Sequence, residues 1–142
     1  MTYATLENLT ERYGADMLLG ITDRATPPAG AIDTGVVARA LANADATING
    51  RLGTRFVVPL AGTPPEIREI AEAIAIWKLH VYKPDEKIEA DYKEAMKTLE
   101  GMAAGSVVLH ATTLAPVETG GTGARLTDRD RPLTAENLRG YI

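Results

Sequence analysis

Cysteine is absent from the 142 residues of this chain. Disulfide bonds and thiolate metal ligands are therefore excluded, and side-chain packing must hold the fold together. A chain of this length forms one domain of ordinary size and can bury a sizeable core without covalent help. Aromatic residues are also scarce, at 5% of the chain. The apolar content rests on Ala, Leu, Ile and Val, which favours packed helices over a β-sandwich.

Residue types that commonly act as catalytic nucleophiles or metal ligands are few in this chain. Ser106 is the only serine, and its Gly-Ser-Val-Val context lacks the strained turn that exposes a catalytic hydroxyl. His80 and His110 are the only histidines, and neither has a second ligand at helical spacing, so we expect structural roles for both. The sequence therefore predicts no catalytic residue, no cofactor-binding residue and no metal site.

Long apolar runs and a basic surplus are missing as well. No segment approaches the roughly 20 apolar residues that a membrane helix needs, so we expect no membrane contact. The N-terminal stretch lacks the basic and then apolar pattern of a signal peptide. The net charge of −4 argues against a nucleic-acid binder, which normally presents a basic face.

Apolar residues recur at three- and four-residue steps along most of the chain, which predicts amphipathic helices. Asp33 is the expected N-cap of the third helix and Thr63 that of the fourth, which begins at a Pro-Pro pair. Val107–Leu109 could form a short strand. The predicted helices are Leu6–Tyr13, Ala15–Leu19, Thr34–Gly53, Pro64–Tyr82 and Asp85–Ala104.

The fourth predicted helix is apolar nearly all the way round in its middle. That pattern is typical of a central helix covered by others, and it makes Trp77 a core residue. Its apolar stripe consists of Ile67, Ile70, Ala71, Ile74, Trp77 and Val81, with Ala73, Ala75 and Ile76 added between them.

Charged residues of the helices have structural explanations. The acidic residues between 85 and 94 alternate with lysines, which indicates a solvated helix face. Asp45 lies beside the apolar stripe of the third helix, with Asn49 and Arg51 nearby, and a structural hydrogen bond or ion pair is favoured over catalysis. Gly120–Gly123 resembles a phosphate loop but lacks the following Lys and Ser or Thr, so we interpret it as linker.

The composition changes near residue 110. Residues 1–110 predict an all-α, compact bundle of about four to five helices. Residues 111–142 predict a flexible, Thr- and Gly-rich linker and an extended C-terminal interaction segment. The residues expected to contact a partner or another copy are Leu126, Leu133, Leu138, Arg139, Tyr141 and Ile142.

Several motifs, taken in order, resemble a known family. They are an opening at Tyr3–Leu9, the pair Thr22–Asp23, and an Ala-rich helix at Ala38–Leu52 that ends in an Ile-Asn-Gly-x-Leu pattern. An Arg-Phe-x-x-Pro-Leu turn follows at Arg55–Leu60, and then a helix at Pro64–Ala75 with isoleucines at regular steps. The closing Leu-Arg-Gly-Tyr at 138–141 fits more weakly. Asn49 and Phe56 stand where the family often has Asp and Tyr.

These motifs resemble the small head–tail connector, or adaptor, proteins of tailed bacteriophages, in the Mu-like phage and prophage branch. The resemblance implies a structural virion protein without enzymatic activity or cofactor. It implies a homo-oligomeric ring, commonly of twelve copies, between the portal and the tail or head-completion proteins, with DNA only in transit. It also implies a location in the virion, and in the host cytoplasm during assembly.

Two other functions compete with this interpretation. A small helical enzyme or ligand-binding domain would need a convergent cluster of polar, titratable residues. A DNA-packaging or regulatory helical protein would need a recognition helix that is basic along one face. The sequence displays neither feature.

Overall fold

The computed structural model describes residues 2–109, and all of the regular elements in that range are helices. The all-α bundle predicted from the sequence is thereby confirmed for this part of the chain. In the same range no helix combines the length and apolarity needed to span a bilayer. The helices are α1 (Leu6–Tyr13), α2 (Ala15–Thr22), α3 (Thr34–Leu52), α4 (Pro65–Leu79) and α5 (Glu86–Ala104).

The two short N-terminal helices meet at Gly14, whose φ of 88° is a backbone conformation that suits glycine. Thr5 caps α1 by accepting a hydrogen bond from the Asn8 backbone N–H, and the Asn8 side chain accepts one from the Thr5 backbone in return. The sequence placed the end of α2 at Leu19, which is wrong. The helix continues to Thr22 because the Thr22 side chain is fully buried and its hydroxyl donates to the Leu18 carbonyl at 2.7 Å.

A loop joins α2 to α3, as the prolines and glycine of this segment predicted. The Asp23 carboxylate organises it by accepting from the backbone N–H groups of Ala29 and Gly30, at 3.1 and 2.8 Å. These donors lower the pKa of Asp23. The predicted N-cap Asp33 is confirmed, since its carboxylate accepts from the N–H groups that begin α3.

Helix α4 is central, as its apolar pattern predicted. Every residue from 71 to 76 is buried, and α4 packs against α1, α3 and α5. Its predicted ends are wrong at both termini. Pro64 occupies the N-cap position without a side-chain hydrogen bond, so Thr63 is not the cap. The helix stops at Leu79, and Val81 is 63% exposed instead of belonging to the buried stripe.

Helix α5 runs antiparallel to α4 and ends at Gly105, which adopts a left-handed conformation with φ of 84°. The Arg55 guanidinium occupies the space that a Cβ at Gly105 would need. The chain then folds back, and the N–H groups of Ser106 and Val107 donate to the Gly101 carbonyl at 2.9 and 3.1 Å. Because of this turn, the strand predicted at Val107–Leu109 does not form.

Trp77 lies at the edge of the core and is only partly buried. Its ring stacks on that of Tyr92 of α5, with centroids 4.7 Å apart and an interplanar angle of 11°. Offset or stacked aromatic pairs at this distance stabilise a helix contact beyond the area they bury. The stack closes the α4–α5 contact at the end where α4 finishes and α5 begins.

Candidate functional site

The α4–α5 contact opens into a groove at its other end. Its floor is apolar and mostly buried, and four carboxylates stand around it. The cavity measures about 320 Å³. We call it the acidic groove and define it by the floor residues Ile70, Ala73, Ala95 and Met102, the acidic residues Glu66, Glu69, Asp91 and Glu94, and the edge residues Arg12, Thr98, Val107 and Val108.

Helical spacing explains why the carboxylates converge. Glu66 and Glu69 are three residues apart on α4, and Asp91 and Glu94 are three apart on α5, so each pair shares one helix face. The antiparallel packing of α4 and α5 sets the two faces side by side. The small side chains of Ala73 and Ala95 leave room between the helices, and this room becomes the cavity.

Arg12 is the one cation lining the groove within the described range, and it already has a partner. Its guanidinium donates to Glu72 at 2.9 Å, and the Glu72 side chain is only 9% exposed. A buried carboxylate needs such a partner, because an unpaired charge in the core costs several kcal/mol. The pair joins α1 to α4. Asp91 pairs with the exposed Lys87 of its own helix at 3.3 Å, so within residues 2–109 Glu66, Glu69 and Glu94 are the groove carboxylates without an ion pair.

The acidic groove is therefore suited to binding a partner by its chemistry. An apolar floor favours burial of an apolar side chain, at about 25 cal/mol per Å² removed from water. The carboxylates favour flanking positive charges and disfavour an acidic occupant. Between residues 2 and 109 there is no group of three or more His, Asp or Glu side chains arranged to hold a metal ion.

A polar network fixes the N-terminal segment to α3. The Tyr3 backbone N–H donates to Asp45 at 3.0 Å, and the Tyr3 hydroxyl donates to the Asn49 side chain. The same hydroxyl accepts from the buried Leu60 N–H at 3.0 Å. Burial raises the pKa of Asp45, and the hydrogen bond from Tyr3 acts in the opposite direction. Asp45 and Asn49 thus hold structure, which is the role the sequence favoured.

Arg51 does not join this network, although the sequence placed it near Asp45. Its guanidinium pairs with Glu100 of α5 at 2.8 Å, and both side chains are about half exposed. An ion pair so exposed contributes little to stability. It shows, however, that the C-terminal ends of α3 and α5 lie together.

The loop between α4 and α5 forms an exposed apolar corner at the far end of α4 from the groove. Val81 and Tyr82 are 63% and 87% exposed. His80 precedes them, and its Nδ1 lies 2.8 Å from the Ile76 carbonyl, which is a structural contact. Arg24 fixes the neighbouring loop by donating to the Leu79 carbonyl at 2.9 Å. We call Val81 and Tyr82 the apolar corner.

The interface residues predicted from the sequence lie outside the described residues, as do His110 and the glycine-rich segment. The acidic groove was not predicted. The alternation of acids and lysines on α5 suggested only a solvated face, and nothing in the sequence pairs that face with Glu66 and Glu69. The one signal available was the i, i+3 spacing of acids on both helices.

Comparisons with known proteins identify relatives along the whole chain. Residues 3–127 match the family described as Bacteriophage Mu, Gp36. Gene product J of Escherichia phage Mu is 30% identical over 142 residues, which covers all of both chains. The Mu-like prophage FluMu protein gp36 of Haemophilus influenzae is 32% identical over 107 residues, or 75% of this chain and 74% of that protein. The chain therefore belongs to the Gp36 family of Mu-like phages and prophages.

Proposed function

We propose that this protein is a structural component of the virion, a head–tail connector that joins the portal to the tail as a ring of identical subunits. Family membership supports a role in a Mu-like phage or prophage. The observation that carries the proposal is the placement of two uncovered surfaces, the acidic groove and the apolar corner, at opposite ends of α4. A ring subunit that also bridges two other proteins needs separate contact surfaces of this kind.

The remaining expectations follow from that role. The partners are further copies of the chain, the portal, and a tail or head-completion protein. The protein acts in the virion after assembly in the host cytoplasm. We propose no enzymatic activity and no cofactor. DNA passes through the ring, and acidic residues facing a lumen would let it pass without binding.

The acidic groove also favours a second candidate, a small ligand-binding domain. Its volume of about 320 Å³ lies at the lower end of the usual range for small-molecule sites. Its carboxylates would select a compact cationic ligand with an apolar part. Calorimetry with polyamines tests this candidate. Micromolar binding by the full chain, weakened in Glu69→Gln, would favour it over a connector.

The molar mass in solution tests the connector role. We expect light scattering of the full chain to find a large, closed oligomer whose mass stops increasing with concentration. A chain ending at Thr119, with the proposed domain boundary near residue 110 kept intact, should retain the helical spectrum but fail in ring closure or in joining its partner. A full chain that stays monomeric up to millimolar concentration contradicts the proposal. A truncated chain that assembles and supports infection normally would show that residues 120–142 are dispensable for it, and would contradict the expected role of that segment.

A further inference from the structure

The acidic groove lies where the described part of the chain ends. Val107 and Val108 form its edge, and the buried Leu109 anchors the chain beside them. Residues 110–142 therefore continue from a point next to a groove with an apolar floor and four carboxylates. The groove calls for an occupant with both apolar and cationic side chains.

The sequence beyond this point contains such an occupant. Residues 125–133 read Arg-Leu-Thr-Asp-Arg-Asp-Arg-Pro-Leu. In an extended segment, alternate side chains point to opposite sides. Bound in an extended conformation, the segment would present Arg125, Arg129, Arg131 and Leu133 on one side and Asp128 and Asp130 on the other. The segment is nearly neutral overall, with three Arg and two Asp, but in that conformation it would have a basic side that ends in a leucine and an acidic side.

We propose that the acidic groove of one copy binds residues 125–133 of a second copy, with the Arg side of the segment towards the carboxylates. This inference rests on the proposed function, because it names the contact that links neighbouring subunits of the ring. The contact is head to tail, since the segment of each copy enters the groove of the next. Every segment and every groove is then occupied only if the copies close into a ring.

The connecting chain is long enough for residues 125–133 to reach a second copy. Residues 110–124 would have an average end-to-end distance of about 20 Å as a flexible, Gly-rich chain. A domain of about 108 residues has a radius of gyration near 13 Å, so neighbouring copies lie about 25–30 Å apart between centres. The copy's own groove begins at Val108, so the linker permits both arrangements. The ring of the proposed function requires a contact between copies, and binding of the segment in its own groove would not provide one.

Cross-linking of the full chain tests the proposal directly, and the absence of native cysteine gives it a clean background. A double variant, Thr98→Cys with Ala135→Cys, places one thiol in the groove and one just beyond the Arg-bearing segment. Under mild oxidation we expect a ladder of covalent dimers, trimers and larger species on a non-reducing gel. The control is Ala38→Cys with Ala135→Cys, since Ala38 is exposed on α3 and lies outside the groove.

Charge variants in the same double-Cys background test the recognition. Replacing Arg125, Arg129 and Arg131 with Gln should slow ladder formation about tenfold, because removing interface charges lowers the association rate. Replacing Asp128 and Asp130 with Asn, on the other side, should not slow it. In the groove, Glu66→Gln with Glu94→Gln should slow it too, whereas Glu7→Gln with Glu11→Gln, outside the groove, should have no effect.

The outcomes separate this inference from the proposed function. Cross-linked monomers alone would place the segment in its own groove and overturn the inference. A ladder no stronger than the Ala38 control, in a protein whose molar mass still indicates a ring, overturns the inference and leaves the connector role standing. A protein that neither cross-links nor assembles contradicts both. Val108→Cys, at the exposed edge of the groove, replaces Thr98→Cys if that variant melts at a lower temperature than the parent.

Discussion

Helices α3 and α5 are both 19 residues long and both pack against α4, but they do so differently. Six residues of α3 are buried, against four of α5. Helix α3 contains three charged side chains and α5 contains eight. The α3 side is sealed by the N-terminal segment and the Tyr3 network, whereas the α5 side holds the aromatic stack at one end and the acidic groove at the other.

The comparison shows how one central helix serves two purposes. On the α3 side, Tyr3, Asp45 and Asn49 find their hydrogen-bond partners inside the subunit. On the α5 side, Glu66, Glu69 and Glu94 have no ion pair within residues 2–109 and stand around an apolar floor, so a partner can supply positive charges and an apolar side chain. The α3 side of α4 therefore contributes mainly to stability, and the α5 side, with its groove, is the side suited to binding a partner. We call these two sides the flanks of α4. Substitutions on the two flanks should then have different consequences.

The largest effect on folding stability is expected at a core residue on which the packing of both flanks depends. Ile74 is fully buried in the middle of α4. Ile74→Asp should unfold the domain, because an unpaired buried charge costs several kcal/mol against a total stability of about 5–15 kcal/mol. Circular dichroism and thermal melting measure the loss. Ala42→Asp, on the exposed face of α3, should cost about 1 kcal/mol or less. A native melting temperature in Ile74→Asp would mean that α4 is not central.

A smaller effect on folding stability is expected from removing the Tyr3 hydroxyl hydrogen bonds on the α3 side. Tyr3→Phe removes the hydroxyl that accepts from the buried Leu60 N–H and donates to Asn49. The cost should be about 1–3 kcal/mol, since a buried donor is left without a partner. Urea unfolding of the full chain measures it. Tyr82→Phe provides the matched control, because Tyr82 is 87% exposed. Equal stability of the two variants would mean that the Tyr3 hydroxyl hydrogen bonds do not stabilise the α3 side of α4.

The smallest effect on folding stability is expected from neutralising one carboxylate on each flank. The pKa of Asp45 is raised by burial, so between the unfolded and the folded pKa values the folded state binds more protons than the unfolded state. Stability therefore falls as the pH rises from the unfolded pKa through the folded pKa. Asp45→Asn keeps an oxygen for the Tyr3 N–H and should stabilise the protein at pH 7 by about 0.5 kcal/mol or less, after allowance for solvent screening.

That gain should disappear below about pH 3.5, where Asp45 is protonated in both states. Glu94→Gln is the counterpart on the open flank. Its side chain is exposed, so we expect no change in stability at either pH. Melting curves at pH 3 and pH 7 make the comparison. A gain in Asp45→Asn that is the same at both pH values would mean that packing, and not charge, is responsible.

Sequence patterns predicted the helices well where a local signal marked their ends. Thr5 and Asp33 are capping residues, and a capping residue acts through neighbours two or three positions away. The predictions were wrong at Leu19, Thr63 and Tyr82, where tertiary contacts rather than neighbouring residues set the end of the helix. Thr22 extends α2 because its side chain is buried, and α4 stops at Leu79 although Val81 continues the apolar spacing.

The sequence alone determined the helical class, the central position of α4 and the family, because periodicity, capping and motif order are properties of neighbouring residues. Tertiary structure alone decided which carboxylates meet. Glu66 and Asp91 are 25 positions apart, and no local rule relates them until α4 and α5 pack antiparallel. The Tyr3 hydroxyl likewise found its partners at Asn49 and Leu60 only through folding. Interactions between distant residues depend on how helices pack, and that geometry is set by the whole core.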